Sequence, residues 1–301
     1  MAVRRRVLPR GWYPDEGESV RELVAAWLGK KAPPQSEKAT PHSEKATPRG
    51  ALAAVAPHAG WAFSGRLAAE AVSSLLPAGA GASSRSFPTV AVFGGHLPPG
   101  ASPLAAREPA YETPLGSVLA DLELLSALEN ALRGKLALRV DEEPDNTVEV
   151  LLPLIAAILP GARVLWLRSP NDASSLALGE ALAAAASSLG RVVVGLGSTD
   201  LSHYGPNYGF SPKGRGPAAE AWVREVNDRR FIEALLALDA AEALARGESE
   251  RSACSSGAAS AALAFALASG AKRAELFDYA TSLDVRRDES FVGYAAIGFF
   301  A

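Results

Sequence analysis

Three of the chain's four histidines follow closely on stretches that have the composition of buried β-strands. In an open α/β sheet the ligand site lies beyond the carboxyl ends of the strands, so side chains in this position can meet. Imidazole rings bind metal ions and transfer protons. The sequence therefore predicts that these histidines share one site. They are His58 after residues 51–56, His96 after residues 89–94, and His203 after residues 191–197.

A carboxylate and a thiol complete this pattern. Asp200 precedes His203 by three residues, so a helical turn would place both on one side, where the carboxylate could orient the imidazole or the two could act as acid and base. Cys254 is the only cysteine and comes just before a helix predicted over residues 257–268. The N–H groups and dipole of that helix would lower the thiol pKa and favour the thiolate, which is both a nucleophile and a metal ligand. A lone cysteine is otherwise more often a small buried apolar residue.

Three functions are compatible with these five residues. Two imidazoles and a thiolate, from His58, His96 and Cys254, form a three-point site for iron, copper or zinc that leaves positions open for water or substrate. Alternatively, Cys254 is the nucleophile of a metal-free hydrolase or transferase, with His203 as base and Asp200 as its orienting partner. The third function is a pocket that holds an anionic small molecule or a peptide without turnover.

Strand and helix patterns alternate along the chain. Runs of apolar and β-branched residues predict strands, and helical patterns lie between them. This alternation indicates an α/β fold: a single domain over residues 1–301, with a central, largely parallel or mixed sheet and helices on both faces. The predicted strands are residues 51–56, 89–94, 162–167, 191–197 and 294–300, and the predicted helices are residues 19–28, 64–76, 121–132, 148–159, 174–189, 218–238 and 257–268.

Two segments without such patterns are predicted to be loops. Residues 36–48 duplicate S-E-K-A-T-P on either side of His42, so we expect a solvated insertion over about residues 31–49, in which His42 has no partner. Residues 204–217 are rich in glycine and proline and longer than most connections. Such a segment fits either a lid over the site or a disordered surface loop.

Composition argues against several classes of protein. The net charge of -3 is spread without a long run of either sign, which argues against nucleic-acid or membrane-surface binding. Pro9, Arg10 and Pro14 interrupt the region where a signal peptide would be apolar, and the longest apolar stretches are too short to span a bilayer. A single cysteine cannot form an intrachain disulfide and suits a reducing compartment. We therefore expect a cytoplasmic protein without a membrane or nucleic-acid partner.

Beyond these general patterns, the chain resembles the Memo family over nearly its whole length. Each of the family's motifs is weak alone, but eight in the same order are specific. They are G-W-Y-P (11–14), P-H-A-G-W-A-F-S-G (57–65), G-G-H (94–96), Y-E-T-P-L-G (111–116), V-E-V-L-L-P-L (148–154), S-T-D-L-S-H-Y-G (198–205), C-S-S-G (254–257), and a tail with Tyr279, Ser282 and V-G-Y-A-A (292–296).

The resemblance implies a fold similar to that of class III extradiol dioxygenases, which hold non-haem iron with histidine and carboxylate. It implies that the family's metal-binding histidines and cysteine correspond to His58, His96 and Cys254, with its aspartate and histidine at Asp200 and His203. It further implies iron or copper binding and redox chemistry and, for some relatives, recognition of phosphotyrosine peptides.

Two positions depart from the family pattern. Asn146, in D-N-T (145–147), stands where the family usually has the histidine of E-H-S, and an amide can hydrogen-bond but cannot titrate or readily bind metal. F-G-G-H (93–96) replaces the usual G-P-N-H and so removes a side-chain amide next to His96. If either missing group is needed for catalysis, this protein keeps the metal pocket without the activity.

Overall fold

A mixed β-sheet forms the centre of the protein, as seen in a computed structural model that describes residues 2–29, 50–77 and 88–301. Its strands follow one another in the order β10-β11-β1-β8-β2-β7-β3-β6, with β9 beside β11, while β4 and β5 form a separate hairpin. The strands are β1 (Ala53–Ala56), β2 (Thr89–Leu97), β3 (Leu104–Ala105), β4 (Ala110–Thr113), β5 (Gly116–Leu119), β6 (Arg139–Val140), β7 (Val164–Pro170), β8 (Val193–Ser198), β9 (His203–Tyr204), β10 (Arg273–Thr281) and β11 (Phe291–Phe300).

The four middle strands are parallel, as the alternation of strands and helices predicts. β1 pairs with β8, β8 with β2, and β2 with β7, so their carboxyl ends lie on one side of the sheet, which we call the carboxyl edge. β11 pairs antiparallel with β1 and β10 antiparallel with β11, which makes the whole sheet mixed. The carboxyl edge of β1, β8 and β2 is where polar residues after strands come together.

Helices cover both faces of the sheet, which confirms the α/β prediction. Along β2, Val90 and Val92 belong to the apolar core on one face, and Ala91 and Phe93 belong to the core on the other. No helix among the described residues is long and apolar enough to cross a membrane. The helices are α1 (Gly17–Gly29), α2 (Trp61–Ser74), α3 (Leu122–Leu132), α4 (Asn146–Glu149), α5 (Leu152–Ile158), α6 (Ser174–Ser188), α7 (Pro217–Trp222), α8 (Asp228–Leu236), α9 (Ala240–Glu250) and α10 (Ser256–Ala268).

Two predicted helices are interrupted. The helix expected over residues 148–159 divides into α4 and α5, because Pro153 has no N–H to donate to the carbonyl of Glu149. The helix expected over residues 218–238 contains a π-helical turn at Val223–Asn227 between α7 and α8. In this turn Asn227 donates to the Ser202 hydroxyl at 2.7 Å. This hydrogen bond connects the start of α8 to the segment that follows β8.

The predictions missed α9 and β10. Both are poor in the continuous apolar residues that mark buried elements, and β10 is only half buried because it lies at the end of the sheet. The insertion expected over about residues 31–49, with His42, lies outside the described residues, which resume at Gly50.

Candidate metal centre

The structure brings the two predicted imidazole ligands and the thiol together at the carboxyl edge. His58 lies two residues beyond β1, His96 is in the last two residues of β2, and Cys254 lies two residues before α10. Their possible ligand atoms all lie within 4.8 Å of one another, and His58 Nε2 is 3.3 Å from Cys254 Sγ. Nitrogen and sulfur ligands of one tetrahedral metal lie about 3.5 Å apart, because each is roughly 2.0 to 2.3 Å from the ion. The three side chains therefore fit a single ion with small adjustments.

His58 is buried and held by hydrogen bonds from its backbone and its ring. Its N–H donates to Asp200 Oδ1 at 2.8 Å. Its Nδ1 lies 3.0 Å from Ser198 Oγ, and that hydroxyl donates to the Thr147 carbonyl at 2.5 Å. Because Ser198 has one proton and a carbonyl can only accept it, the hydroxyl must accept a hydrogen bond from His58. Nδ1 therefore carries a proton, which leaves Nε2, beside the thiol, as the ligand atom.

His96 has a strained backbone. Its φ is +61°, in the left-handed region that residues other than glycine seldom adopt. The pairing of β2 with β7 also shifts register between Gly94 and Leu97, so His96 lies in a β-bulge. Its exposed imidazole meets the ring of His58 edge to face, with centroids 5.0 Å apart and planes at 85°. Strained residues of this kind concentrate at functional sites.

The two glycines before His96 have no room for a side chain. A Cβ at Gly94 would overlap the side chains of Thr147 and Val148, and a Cβ at Gly95 would overlap that of Ser255. The two glycines of G-G-H therefore let β2 pack closely between the start of α4 and the start of α10.

Cys254 is positioned by the chain segment that carries Asp200. An isolated β-bridge pairs Leu201 with Ala253, and the backbone N–H of Cys254 donates to the Asp200 carbonyl at 3.1 Å. Burial raises the pKa of the thiol, but the imidazoles, chiefly that of His58, outweigh burial and hold the pKa well below its usual value. The surroundings of Cys254 therefore favour the thiolate, which is the form that binds metal.

Asp200 and His203 lie beside the three ligands, although their segment is not helical. The chain leaves β8 in an extended conformation and enters β9 at His203, so the expected helical turn is absent. The buried Asp200 carboxylate nevertheless faces two imidazoles, because its Oδ2 lies 4.0 Å from His58 Nε2 and 3.8 Å from His203 Nε2. The Asp200 carboxylate thus lies beside both imidazole rings.

The two imidazoles gain basicity from their neighbours. Burial lowers the pKa of His58, but Cys254 and Asp200 outweigh burial and raise the pKa to about 9. Burial likewise lowers the pKa of His203, and Asp200 and Cys254 raise it to about 10. Because its pKa is raised, His58 must give up a proton when a cation binds to its ring.

The loop predicted over residues 204–217 covers His203. The ring of Tyr208 packs on the imidazole with centroids 4.8 Å apart. Arg251 holds this part of the loop by donating to the carbonyls of Tyr208 and Gly209, at 3.2 and 3.3 Å. His203 Nε2 is itself buried and has no hydrogen-bond partner among the described residues. The loop thus shields the imidazole nitrogen of His203 that faces Asp200.

Sequence reasoning missed Ser198, which hydrogen-bonds to His58, and Thr147, which hydrogen-bonds to Ser198 and to the N–H of Gly95. Ser198 is the last residue of β8, and its position at a strand end is a signal that could have found it. Thr147 follows no strand, so its contact with the site depends on tertiary packing. The neighbouring Asn146 places Nδ2 3.5 Å from the carbonyl oxygen of His58, so this departure from the family pattern contacts the main chain of a ligand.

Comparison with known proteins shows what the chain is similar to. The family model described as Memo-like protein matches residues 5–298, which include every site residue named above. A MEMO1 family protein of Pyrococcus abyssi is 34% identical over 258 residues, which cover 81% of this chain and 85% of that protein. One from Pyrococcus furiosus is 30% identical over 308 residues, which cover 98% of each chain. One from Methanococcoides burtonii is 31% identical over 257 residues, which cover 82% and 85%.

Proposed function

The chain belongs to the Memo family, and on this premise we propose that it binds one iron or copper ion through His58, His96 and Cys254 and carries out redox chemistry there. The observation that carries the proposal is the convergence of three ligand atoms within 4.8 Å at the carboxyl edge. A thiolate with two imidazoles suits iron, copper and zinc, and it disfavours magnesium and calcium, which prefer oxygen ligands. Three protein ligands also leave positions open for a substrate.

Asp200 and His203 would orient the ligands and transfer protons near the bound ion. Such an ion would supply electron transfer and polarise a substrate in its open positions. His203, whose Nε2 makes no hydrogen bond among the described residues and lies 3.8 Å from Asp200 Oδ2, would exchange a proton with that substrate. Asp200 would keep both imidazoles oriented, since its Oδ1 accepts from the His58 backbone and its Oδ2 faces His203.

One observation favours a second candidate, a metal-free thiol enzyme. Cys254 Sγ lies 3.3 Å from His58 Nε2, which is the geometry of an ion pair between a nucleophilic thiolate and an imidazolium. In that case His58 would be the nearest acid to the thiolate, and Asp200 would orient both His58 and His203. This function requires that the native protein works without metal.

Metal content decides between the two functions. We would purify the protein without oxygen and measure bound metal by mass spectrometry in the wild type, His58→Ala and Cys254→Ala, each shown to be folded by circular dichroism. His42→Ala is the matched control, because it removes a histidine expected in the insertion. The alkylation rate of Cys254 would be measured on the same samples.

Near-stoichiometric iron or copper in the wild type and the His42 control, with loss from both site variants, is the expected result. Wild-type protein that contains no metal and takes up neither added iron nor added copper would contradict metal binding. Rapid alkylation of Cys254 in such a protein would support the thiol enzyme.

A further inference from the structure

Thr147, at the start of α4, hydrogen-bonds through two different groups to the residues that hold His96 and His58. Its hydroxyl accepts from the backbone N–H of Gly95 at 3.0 Å, next to the strained His96. Its carbonyl accepts from Ser198 Oγ at 2.5 Å, and Ser198 in turn accepts from His58 Nδ1. One buried residue therefore connects the two predicted histidine ligands, which lie 38 positions apart in the sequence.

Thr147 is itself fixed by a buried charged network. The carboxylate of Asp145 accepts from the Thr147 backbone N–H at 3.0 Å and also from its hydroxyl. The Nε of Arg168 lies 3.3 Å from Asp145 Oδ2 and 3.1 Å from the carbonyl oxygen of Gly95. The contacts form a closed ring, because Gly95 is bonded through its N–H to Thr147 and through its carbonyl to Arg168. Asp141 is a second carboxylate beside this guanidinium, with its Oδ1 3.4 Å from Arg168 Nη1.

The ring accounts for the left-handed conformation of His96. A residue other than glycine keeps a positive φ only where its surroundings hold it there. The backbone N–H and the carbonyl of Gly95 are both bonded to buried side chains, and the N–H of His96 lies 3.3 Å from Ser255 Oγ. The hydroxyl of Thr147 is uncharged, and a small substitution can remove it.

We propose that Thr147 is a positioning residue for the metal centre: its hydroxyl holds His96 through Gly95, and its carbonyl fixes the proton of His58 through Ser198. The proposal rests on the proposed function, because it assigns Thr147 to the ligands of that site. The two branches can be tested separately. Thr147→Val removes the hydroxyl and keeps the carbonyl, whereas Ser198→Ala removes the link from that carbonyl to His58.

The test measures binding of cobalt(II), whose visible spectrum reports ligand geometry and thiolate coordination. We expect both Thr147→Val and Ser198→Ala to weaken cobalt affinity by about 10- to 100-fold, as for other residues that orient metal ligands. Thr147→Ser, which keeps the hydroxyl, should stay within a few-fold of the wild type. The absorption bands should change in Thr147→Val and return in Thr147→Ser.

Thr89→Val is the matched control for lost stability. Thr89 is buried at the other end of β2, and its hydroxyl donates to Asp121 Oδ2 at 2.7 Å. This variant should lower the midpoint of urea unfolding without changing cobalt affinity. Thr147→Val that binds cobalt with wild-type affinity and an unchanged spectrum would overturn the proposal, as would an equal loss of affinity in Thr89→Val.

Nuclear magnetic resonance of the metal-free protein separates this proposal from the proposed function. Imidazole nitrogen shifts should show a hydrogen-bonded proton on His58 Nδ1 in the wild type and Thr147→Val, and this signal should change in Ser198→Ala. The amide signal of Gly95 should shift in Thr147→Val alone. If these changes occur but the wild type binds no iron, copper or cobalt, the proposed function fails and the positioning role stands. If neither signal responds, the positioning role fails whatever the protein binds.

Discussion

Asp228 shows how burial sets the charge of a single residue behind the site. It is fully buried, and its carboxylate accepts from the Ser202 N–H at 3.0 Å and from the Tyr279 hydroxyl at 2.8 Å. Burial raises its pKa to about 6, and the hydrogen bonds, together with the charge of Arg224, offset burial only in part. The folded protein therefore keeps a proton on Asp228 at pH values where the unfolded chain has lost it.

This difference predicts a pH dependence of stability. Between the ordinary pKa of 3.8 and about 6, the folded state binds more protons than the unfolded state, so the free energy of unfolding falls as pH rises through this window. The loss amounts to about 3 kcal/mol and is complete above the folded pKa. In Asp228→Asn this contribution is absent. The free energy of unfolding of the wild type minus that of the variant, from urea titrations, should therefore decrease between pH 4 and pH 7.

Tyr279→Phe provides the second variant for this prediction. Removal of the hydroxyl takes away a hydrogen bond to the ionised carboxylate, so the pKa of Asp228 should rise further and the decrease should extend to higher pH. A difference between the wild type and Asp228→Asn that stays constant from pH 4 to pH 7 would show that Asp228 keeps an ordinary pKa.

At the scale of elements, the close packing of α10 on α6 positions Cys254. A Cβ at Gly179, in α6, would overlap the carbonyl oxygen of Ala261 and approach the backbone nitrogen of Phe265 at 2.9 Å. The backbones of the two helices therefore meet directly. Because Cys254 and Ser255 lead into α10, any shift of this helix also moves the thiol.

Gly179→Ala should destabilise the protein even though alanine favours helices over glycine. We expect a loss of about 1 to 3 kcal/mol, because the methyl group has no space and both helices must shift. Gly29→Ala is the matched control, since Gly29 ends α1 and no atom of the described residues lies within 4 Å of its Cβ position. This change should be neutral or stabilise by up to about 1 kcal/mol. Urea unfolding measures both. Equal effects of the two substitutions would contradict direct contact between the helices.

The elements that sequence patterns predict well are those that are buried on both faces. β1, β2, β7, β8 and β11 consist mainly of apolar residues, so composition alone indicates them. β10 is half buried because it lies at the end of the sheet, so it lacks the continuous apolar run that marks the buried strands. The interruption of the helix at residues 218–238 likewise depends on the contact between Asn227 and Ser202, which no local pattern contains.

At the scale of the whole molecule, the site also contains residues that sequence patterns predict and residues that only the fold brings into place. His58, His96 and Asp200 could be predicted together because each lies at or just beyond the end of a strand and parallel strands end on one edge. The hydrogen bonds of Ser198 could be inferred only in part, and those of Thr147 not at all, because they cross between elements remote in sequence. The residue types that can bind metal are therefore visible in the sequence, whereas the groups that orient them are defined by the fold.

Because the proposed ligands join distant parts of the chain, metal binding should stabilise the whole molecule. His58 follows β1, His96 lies in β2 and Cys254 precedes α10, so an ion held by all three binds only the folded state. At a free concentration 100 times the Kd, such binding contributes about 2.7 kcal/mol. With an unfolding entropy of roughly 2.1 cal/mol/K per residue, this corresponds to a rise in Tm of about 4 °C for 301 residues.

Far-ultraviolet circular dichroism and tryptophan fluorescence should report the same rise in Tm when cobalt(II) is added to metal-free protein. Agreement is expected because the site connects strands at the centre of the sheet, so the ion cannot stabilise one region while the rest unfolds first. Magnesium is the control cation, and it should leave Tm unchanged because a thiolate and two imidazoles bind it poorly. Cys254→Ala should lose most of the response to cobalt. A shift seen by one method alone, or retained in full by Cys254→Ala, would mean that the ion binds elsewhere on the protein.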